Sequence, residues 1–327
     1  MTRISVVLVA VMALFGHSVM SEYELLPETG LNIFELAELH GYPMEAHEIE
    51  TEDGYLLGVQ RIPHGKSNAG EPNKPVVYMM HGLMSCAADW INIGPEKSLA
   101  YKLADLGYDV WMGNARGSAE SRKHKTLDPD HDRKAFWSFS WNEIGRYDLP
   151  ATIDYILELT GQEQLQYVGY SQGTTSFFVM ASSRPEYNAK IKMATLLAPA
   201  AEMEHLQHPL AKLLAPVEKS ITSLSEMIGV RELLSRSDFL QSLSNQLCTN
   251  DKPIQELCKI IVFLIAGYDR AQLDGAFIPV ITTNSPAGAN LKQFLHYLQN
   301  LNSGGFRNWD FHDEALNIEA YGTAEPP

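Results

Sequence analysis

The run Gly169-Tyr170-Ser171-Gln172-Gly173 limits the possible folds more than any other part of this 327-residue chain. The apolar-rich residues 164–168 before it predict a short buried strand, and residues 174–180 after it can continue as a helix. A serine placed between a strand and a helix stands on a turn so sharp that only small residues fit beside it. The two glycines of the run meet that demand, and the turn lifts the Ser171 hydroxyl above the sheet.

Strands and helices alternate through the first two hundred residues, which predicts a mostly parallel sheet flanked by helices. The Asp53-Gly54 pair between two strand-like runs is typical of a hairpin. The predicted strands cover residues 46–50, 55–62, 75–80, 108–112, 164–168 and 192–197, and the predicted helices cover residues 96–106 and 149–159. The fold class is therefore α/β, and the strand–serine–helix turn indicates an α/β-hydrolase fold.

The strand pattern stops after Ala201, and residues 202–285 are rich in leucine with a helical period. We interpret this segment as a helical cap inserted into a core that covers residues 22–201. Residues 286–327 then return to the core, with a helix predicted over 287–300. A plainer interpretation, in which the leucine-rich helices only pack a core, is compatible with the same pattern.

The first 21 residues are typical of a secretory signal peptide: Arg3 is followed by the apolar residues 4–15 and then by residues 16–21, which include Gly16, Ser18 and Ser21. The apolar run is too short to span a membrane, so we expect no transmembrane segment. No Asn-x-Ser/Thr site occurs, which favours secretion over glycan-dependent delivery to lysosomes, the alternative location. The net charge of −15 disfavours nucleic acid and anionic membranes as partners.

The chain has three cysteines. Cys248 and Cys258 are close in sequence and could close a small loop in an oxidising compartment. Cys86 would then be a free thiol or, more simply, a small buried apolar residue. No cluster has the spacing of metal ligands and no glycine-rich loop is suited to phosphate, so we expect neither a metal nor an organic cofactor.

Acyl transfer needs a nucleophile, a base that takes its proton and donors for the developing oxyanion. Ser171 is the predicted nucleophile, and the backbone N–H of Gln172 is one predicted oxyanion donor. The second donor is expected from the loop after the third strand, where we assign the N–H of Leu83. Gly82 lets that backbone approach closely. His81 is expected to shape the loop, because the base follows the serine in this fold.

An ordered set of segments from about residue 27 to residue 327 resembles the acid lipase family, to which the gastric and lysosomal lipases belong. The segments that carry the resemblance are Gly41–Glu45, Thr51–Tyr55, Arg61–Pro63, His81–Leu83, Asn114–Gly117, Ser121–His124, Phe136–Ser140, Tyr147–Ala151, Ser171–Thr175, Ser285–Gly288 and Ser303–Phe306. The resemblance implies a secreted serine lipase that forms an acyl-enzyme on Ser171 and acts on triacylglycerols or sterol esters at a lipid-droplet surface. It also implies a cap disulfide between Cys248 and Cys258.

The resemblance further implies that the acid and the histidine of the catalytic triad follow two more strands, beyond Pro327. We therefore expect a C-terminally truncated chain that lacks both residues and is a fragment or an inactive form, with residues 192–197 as an apolar edge strand. One alternative is a non-catalytic lipid-binding protein. Another α/β-hydrolase chemistry, such as a cholinesterase-like or peptidase activity, is a weaker alternative because the matching segments are lipase-like throughout. Asp269 and His296 are the best internal pair, but His296 falls in a helical pattern that predicts a scaffold role.

Overall fold

The computed structural model describes residues 26–234 and 274–327. One six-stranded sheet forms its centre, in the order β1-β2-β4-β3-β5-β6. Its strands are β1 (Glu45–Glu50), β2 (Leu56–Ile62), β3 (Val76–Met80), β4 (Asp109–Gly113), β5 (Leu165–Tyr170) and β6 (Ile191–Leu197). Strand β2 runs antiparallel to both of its neighbours, β1 and β4. Strands β4, β3, β5 and β6 are parallel to one another, which confirms the predicted mostly parallel sheet.

Strand β3 shows why the sheet needs helices on both sides. All five of its residues are buried, and successive side chains point to opposite faces. Tyr78 and Met80 join the core on one face, while Val77 and Met79 join the core on the other. Each face must therefore be covered by other apolar groups, and helices on both sides provide them.

The helices fall into two layers and a cap region. They are α1 (Ile33–His40), α2 (Leu99–Asp105), α3 (Arg133–Phe136), α4 (Trp141–Glu143), α5 (Leu149–Thr160), α6 (Gln172–Ser183), α7 (Pro209–Leu214), α8 (Glu218–Ile228), α9 (Ile278–Asn284), α10 (Leu291–Ser303) and α11 (Glu314–Tyr321). Helices α5 and α6 cover the face that holds Tyr78, and α1 and α2 cover the face that holds Val77. Short turns of 3₁₀-helix and one π-helical turn, Ile144–Asp148, connect these elements.

Helices α7 and α8 lie in the segment that the sequence assigns to a cap, and they pack on α10. A third apolar core joins Ala211 and Ala215 to Leu295, Leu298 and Trp309. A two-stranded ladder of β7 (Glu232–Leu233) and β8 (Ala289–Asn290) ties the end of this region to the start of α10. The cap boundaries at 202 and 285 remain predictions.

Two predicted helices begin later in the structure than in the sequence analysis. Helix α2 starts after Ser98 rather than at residue 96, and α10 starts after Asn290 rather than at 287. The reason at α10 is a capping box, in which the Asn290 side chain accepts from the backbone of the first turn and Gln293 accepts from the Asn290 N–H. The box satisfies the free N–H groups at this point, so the helix begins here.

Several predictions concern residues outside the described ranges: the signal peptide over 1–21, the pair Cys248 and Cys258, and Asp269. Cys86 is buried, in keeping with a small apolar residue. Strand β6 lies at the end of the described sheet, and its Met193 is 54% exposed. No helix within 26–234 or 274–327 is long and apolar enough to cross a bilayer.

Candidate active site

Ser171 stands between the last residue of β5 and the first residue of α6 in a strained backbone conformation. Its φ is 50° and its ψ is −113°, a region that a residue other than glycine rarely occupies. Such strain costs about 1–3 kcal/mol and persists only where the surroundings hold it. The Ser171 N–H donates to the carbonyl of Leu197 at 3.0 Å, and its carbonyl accepts from the Thr174 N–H at 2.9 Å and the Thr174 hydroxyl at 2.6 Å.

The glycines of the turn are required by close backbone approach. A Cβ on Gly173 would lie 2.3 Å from the carbonyl oxygen of Met80, the last residue of β3. A Cβ on Gly169 would lie 2.9 Å from the carbonyl carbon of Gly173. Helix α6 can therefore start directly above the sheet only with these two residues, and Ser171 is presented at the carboxyl ends of the parallel strands.

The loop after β3 lies directly against this serine. A Cβ on Gly82 would stand 3.2 Å from the Cβ of Ser171 and 3.2 Å from a ring carbon of Tyr170. Leu83 follows in a turn, and the next residue, Met84, has a φ of 62° and accepts from the Ala287 N–H at 2.7 Å. The loop that carries the proposed Leu83 donor is thus brought to the reaction centre.

Gln172 is the first residue of the twelve-residue helix α6 and is 3% exposed. The first N–H groups of a helix have no partner inside the helix and point outward from its end, where they favour negative charge. Gln172 directly follows Ser171 on α6, and Leu83 directly follows Gly82, whose backbone lies close to Ser171. Their role as oxyanion donors remains a proposal.

His81 is buried, with 3% of its surface exposed, and both of its ring nitrogens contact backbone groups. Its Nε2 lies 3.0 Å from the N–H of Ala115, and its Nδ1 lies 2.7 Å from the carbonyl of Gly82. Burial lowers the pKa of His81 to about 4, although the bond to the Gly82 carbonyl acts in the opposite direction. The ring is therefore neutral near pH 7 and contacts the backbone of both Gly82 and Ala115.

A buried ion cluster, which no single sequence motif had indicated, is formed by Arg116, Asp148 and Asp53. The Arg116 side chain is fully buried, and its Nε donates to Asp148 at 2.7 Å while its two terminal nitrogens donate to Asp53 at 2.5 and 2.8 Å. The guanidinium also lies 4.0 Å from the ring centre of Tyr55. All four residues fall in segments of the family resemblance, which was the signal available in the sequence.

The two carboxylates of the cluster respond differently to their surroundings. Burial raises the pKa of Asp148 to about 6, although the Arg116 charge and hydrogen bonds oppose the rise. At Asp53, burial also acts to raise the pKa, but the hydrogen bonds and charge of Arg116 outweigh it and the pKa is lowered. Arg116 therefore stays charged between two carboxylates and joins the β1–β2 turn to the π-helical turn before α5.

His296 has the scaffold position that its helical pattern predicts. It is fully buried in α10, with Nδ1 3.0 Å from the Ser140 hydroxyl and Nε2 2.9 Å from the Arg307 carbonyl. Its ring stacks on Trp141 with centroids 3.7 Å apart, and burial lowers its pKa to about 3. Both nitrogens are engaged away from Ser171.

The other histidines that follow the serine in the described ranges have different surroundings. His312 pairs with the buried carboxylate of Glu218 at 3.0 Å and lies 3.5 Å from Asp310. His205 is exposed, and His208 occupies the N-cap position of α7. Among the residues that the structure describes, no three side chains are grouped so that they could hold a metal ion.

A mostly parallel sheet with a strained serine between strand and helix, and a backbone loop against that serine, defines the class of protein as an α/β-hydrolase. Two family models agree: "alpha/beta hydrolase fold" matches residues 75–252, and "Partial alpha/beta-hydrolase lipase region" matches residues 33–94. The solved structure of a proposed lipase from Sulfolobus solfataricus shows the same fold, with a TM-score of 0.52 at 15% identity over 77% of this chain and 79% of that one.

Curated relatives define the family more narrowly. Lipase 3 of Drosophila melanogaster is 48% identical over 90% of this chain and 74% of its own length. The human lysosomal acid lipase/cholesteryl ester hydrolase is 41% identical over 92% of this chain and 74% of its own, and the rat gastric triacylglycerol lipase is 40% identical over 92% and 75%. The chain belongs to the acid lipase family of α/β-hydrolases, whose members are carboxylic ester hydrolases.

Proposed function

We propose that this protein hydrolyses neutral lipid esters, triacylglycerols or sterol esters, through an acyl-enzyme on Ser171. The observation that carries the proposal is the strained backbone of Ser171 together with the close approach of Gly82, where an added Cβ would lie 3.2 Å from the Ser171 Cβ. Strain of this kind is retained where it aims a reactive group, and the neighbouring backbone supplies donors where an oxyanion develops.

The reaction that this arrangement favours has two halves. The Ser171 hydroxyl loses its proton to a general base, a role that we assign to none of the histidines within 26–234 and 274–327, and its oxygen attacks the ester carbonyl carbon. The N–H groups of Leu83 and Gln172 hold the negative oxygen, and the alcohol leaves with the proton, so that the acyl group remains on the serine. Water then attacks the acyl-enzyme and releases the fatty acid. Losing one oxyanion donor is expected to lower turnover about 10²–10³-fold.

The substrate class is supported by the relatives and by the surface of the cap region. One relative is named for cholesteryl esters and another for triacylglycerol. Helices α7 and α8 expose large apolar side chains, with Leu213 71%, Met227 78% and Ile228 59% exposed. Such a surface suits a neutral lipid phase, whereas the net charge of −15 disfavours an anionic one. The signal-like residues 1–21 support secretion, and a lysosomal location is the alternative.

A fluorophosphonate probe tests the proposal, because it phosphonylates a serine that attacks an electrophilic centre. The proposal predicts labelling at Ser171, loss of labelling in Ser171→Ala and no change in Ser182→Ala, whereas a form without its catalytic acid and histidine would not be labelled. Ser182 is the matched control, since it is an exposed serine of the same helix. Release of oleate from triolein and cholesteryl oleate emulsions should follow the labelling.

Two results would contradict the proposed function. Labelling that persists in Ser171→Ala would place the nucleophile elsewhere. Binding of a fluorescent cholesteryl ester without labelling or oleate release would instead support the non-catalytic lipid-binding protein.

A further inference from the structure

We infer that His81 is a positioning residue: its neutral imidazole joins the oxyanion loop to the loop over residues 114–117 and so holds Gly82 and Leu83 against Ser171. The inference rests on the proposed function, because it concerns what fixes the predicted oxyanion donors. It assigns His81 no contact with substrate.

The partners of the ring determine which nitrogen carries the proton. The N–H of Ala115 can only donate, so Nε2 accepts at 3.0 Å. The proton of the neutral ring is then on Nδ1, which donates to the Gly82 carbonyl at 2.7 Å. A single imidazole thereby connects two backbone segments, and each bond requires the other.

The neighbouring Asn114 repeats the connection at the far end of the oxyanion loop. Its side-chain oxygen accepts from the Ala87 N–H at 2.8 Å, and its side-chain nitrogen donates to the Gly58 carbonyl at 2.7 Å and the Gln60 side chain at 2.7 Å. The loop over residues 81–87 is therefore attached at both ends to residues 114–115, which are themselves anchored to β2.

Arg116, which follows Ala115, anchors residues 114–115 from the C-terminal side. Its N–H and Nε donate to Asp148 at 3.0 and 2.7 Å, and its side chain pairs with Asp53. The Ala115 N–H thus lies between two buried side chains with several hydrogen bonds each. Because the residues on both sides of Ala115 are anchored, we take the Ala115 N–H as the fixed group and the His81 ring as the group that it positions.

The ring must also be neutral to serve as this connection. A doubly protonated imidazole has no acceptor, so the Ala115 N–H would be left buried without a partner. Burial keeps the pKa of His81 low, at about 4. The neutral ring and its two bonds therefore support one another.

A set of His81 variants separates positioning from packing. His81→Phe keeps a ring of similar size and removes both bonds, His81→Gln can still accept from Ala115, and His81→Asn can still donate to Gly82. Two quantities are measured on the full chain: amide hydrogen exchange over residues 82–87 and at Ala115, and the rate and affinity constants for labelling of Ser171 by the fluorophosphonate.

We expect faster exchange at both segments in His81→Phe, with a fall of about tenfold to a hundredfold in the labelling rate constant and little change in probe affinity. His81→Gln should recover part of both. Wild-type exchange and labelling in His81→Phe would overturn the inference, because the ring would then only fill space. If the wild-type chain is not labelled, the proposed function fails, and the exchange data alone decide the inference. If His81→Phe does not fold, His81→Gln and His81→Asn decide it in the same way.

Discussion

At the scale of single residues, the active-site turn depends on how closely backbone atoms approach one another. Gly173 is needed for lack of room, since a Cβ there would meet the Met80 carbonyl oxygen at 2.3 Å. Gly161, at the end of α5, differs: its φ is +66°, but nothing lies within 4 Å of the Cβ position. The same substitution at the two sites therefore tests two separate physical effects.

We expect Gly173→Ala to abolish labelling of Ser171, because α6 must move away from β3 to relieve the contact. Overpacking of this kind costs about 1–3 kcal/mol of unfolding free energy. Gly161→Ala should cost about 1–2 kcal/mol through its left-handed backbone alone and leave labelling intact. Urea denaturation and fluorophosphonate labelling of both variants provide the measurements. Normal labelling in Gly173→Ala would show that the turn tolerates a displaced helix.

At the scale of elements, α10 is held in place by its first turn. Asn290 caps the helix and is 1% exposed, and its side-chain nitrogen donates to the carbonyls of Trp137 at 2.6 Å and Phe139 at 2.5 Å. Helix α10 also contributes apolar side chains to the core against which α7 and α8 pack. The Asn290 side chain therefore links the helix that supports the cap region to the loop before α4. Asn32 forms the same capping box on α1, but in an exposed position.

These two caps allow a matched comparison. Asn32→Ala should lower the free energy of unfolding by about 1 kcal/mol, the usual value of a cap. Asn290→Ala should lower it by about 2–4 kcal/mol, because two buried carbonyls also lose their donor. Equal losses in chemical denaturation would mean that water replaces the Asn290 amide at those carbonyls.

A second link at this scale joins the loop after β6 to the active-site turn. The hydroxyl of Thr174 accepts from the Ala200 N–H at 2.9 Å, and that of Thr175 donates to the Ala200 carbonyl at 2.5 Å. Thr175 also lies 2.7 Å from the hydroxyl of Tyr297 in α10. The segment just before the predicted cap is thus attached to the helix that begins beside Ser171.

At the scale of the whole molecule, buried titratable groups make stability depend on pH. Burial lowers the pKa of His81 to about 4 and that of His296 to about 3, whereas it raises the pKa of Asp148 to about 6. In the unfolded chain these groups titrate near their ordinary values of about 6.5 for histidine and 3.9 for aspartate. The two histidines therefore contribute stability above pH 6.5 that is lost on acidification, and Asp148 contributes stability at low pH that is lost as the pH rises through about 6.

From these three groups we expect the protein to lose stability between pH 6 and pH 4. In this range the unfolded chain binds about two more protons than the folded chain on the histidines, and the folded chain binds about one more on Asp148. The unfolded chain therefore binds about one proton more in total, which lowers the free energy of unfolding by about 1.4 kcal/mol for each pH unit of acidification. The unfolding midpoint in urea, measured across this range, tests the expectation. His296→Gln should make the dependence shallower, since it removes one of the two histidines. A midpoint that rises on acidification would show that Asp148 and other carboxylates dominate.

Short apolar runs bounded by turn residues were sufficient to predict the strands, because both signals are local. Strand β3 and the Ser171 turn are located within a residue or two of their predicted positions. The Arg116 cluster could not be assigned in this way. Its partners Asp148 and Asp53 are 32 and 63 residues away in sequence, and charged residues are usually exposed unless the fold pairs them.

The sequence by itself determined the α/β sheet, the turn that presents Ser171 and the family to which the chain belongs. The reason is that these features depend on local signals: the small residues of the turn, the alternation of strand and helix patterns, and the order of the motifs. Only the tertiary structure decided the roles of the buried polar groups. His81 and His296 are both histidines with lowered pKa, yet one joins the backbone of Gly82 to that of Ala115 and the other stacks on Trp141. The difference comes from partners that folding brings together from distant segments, and no local pattern encodes them.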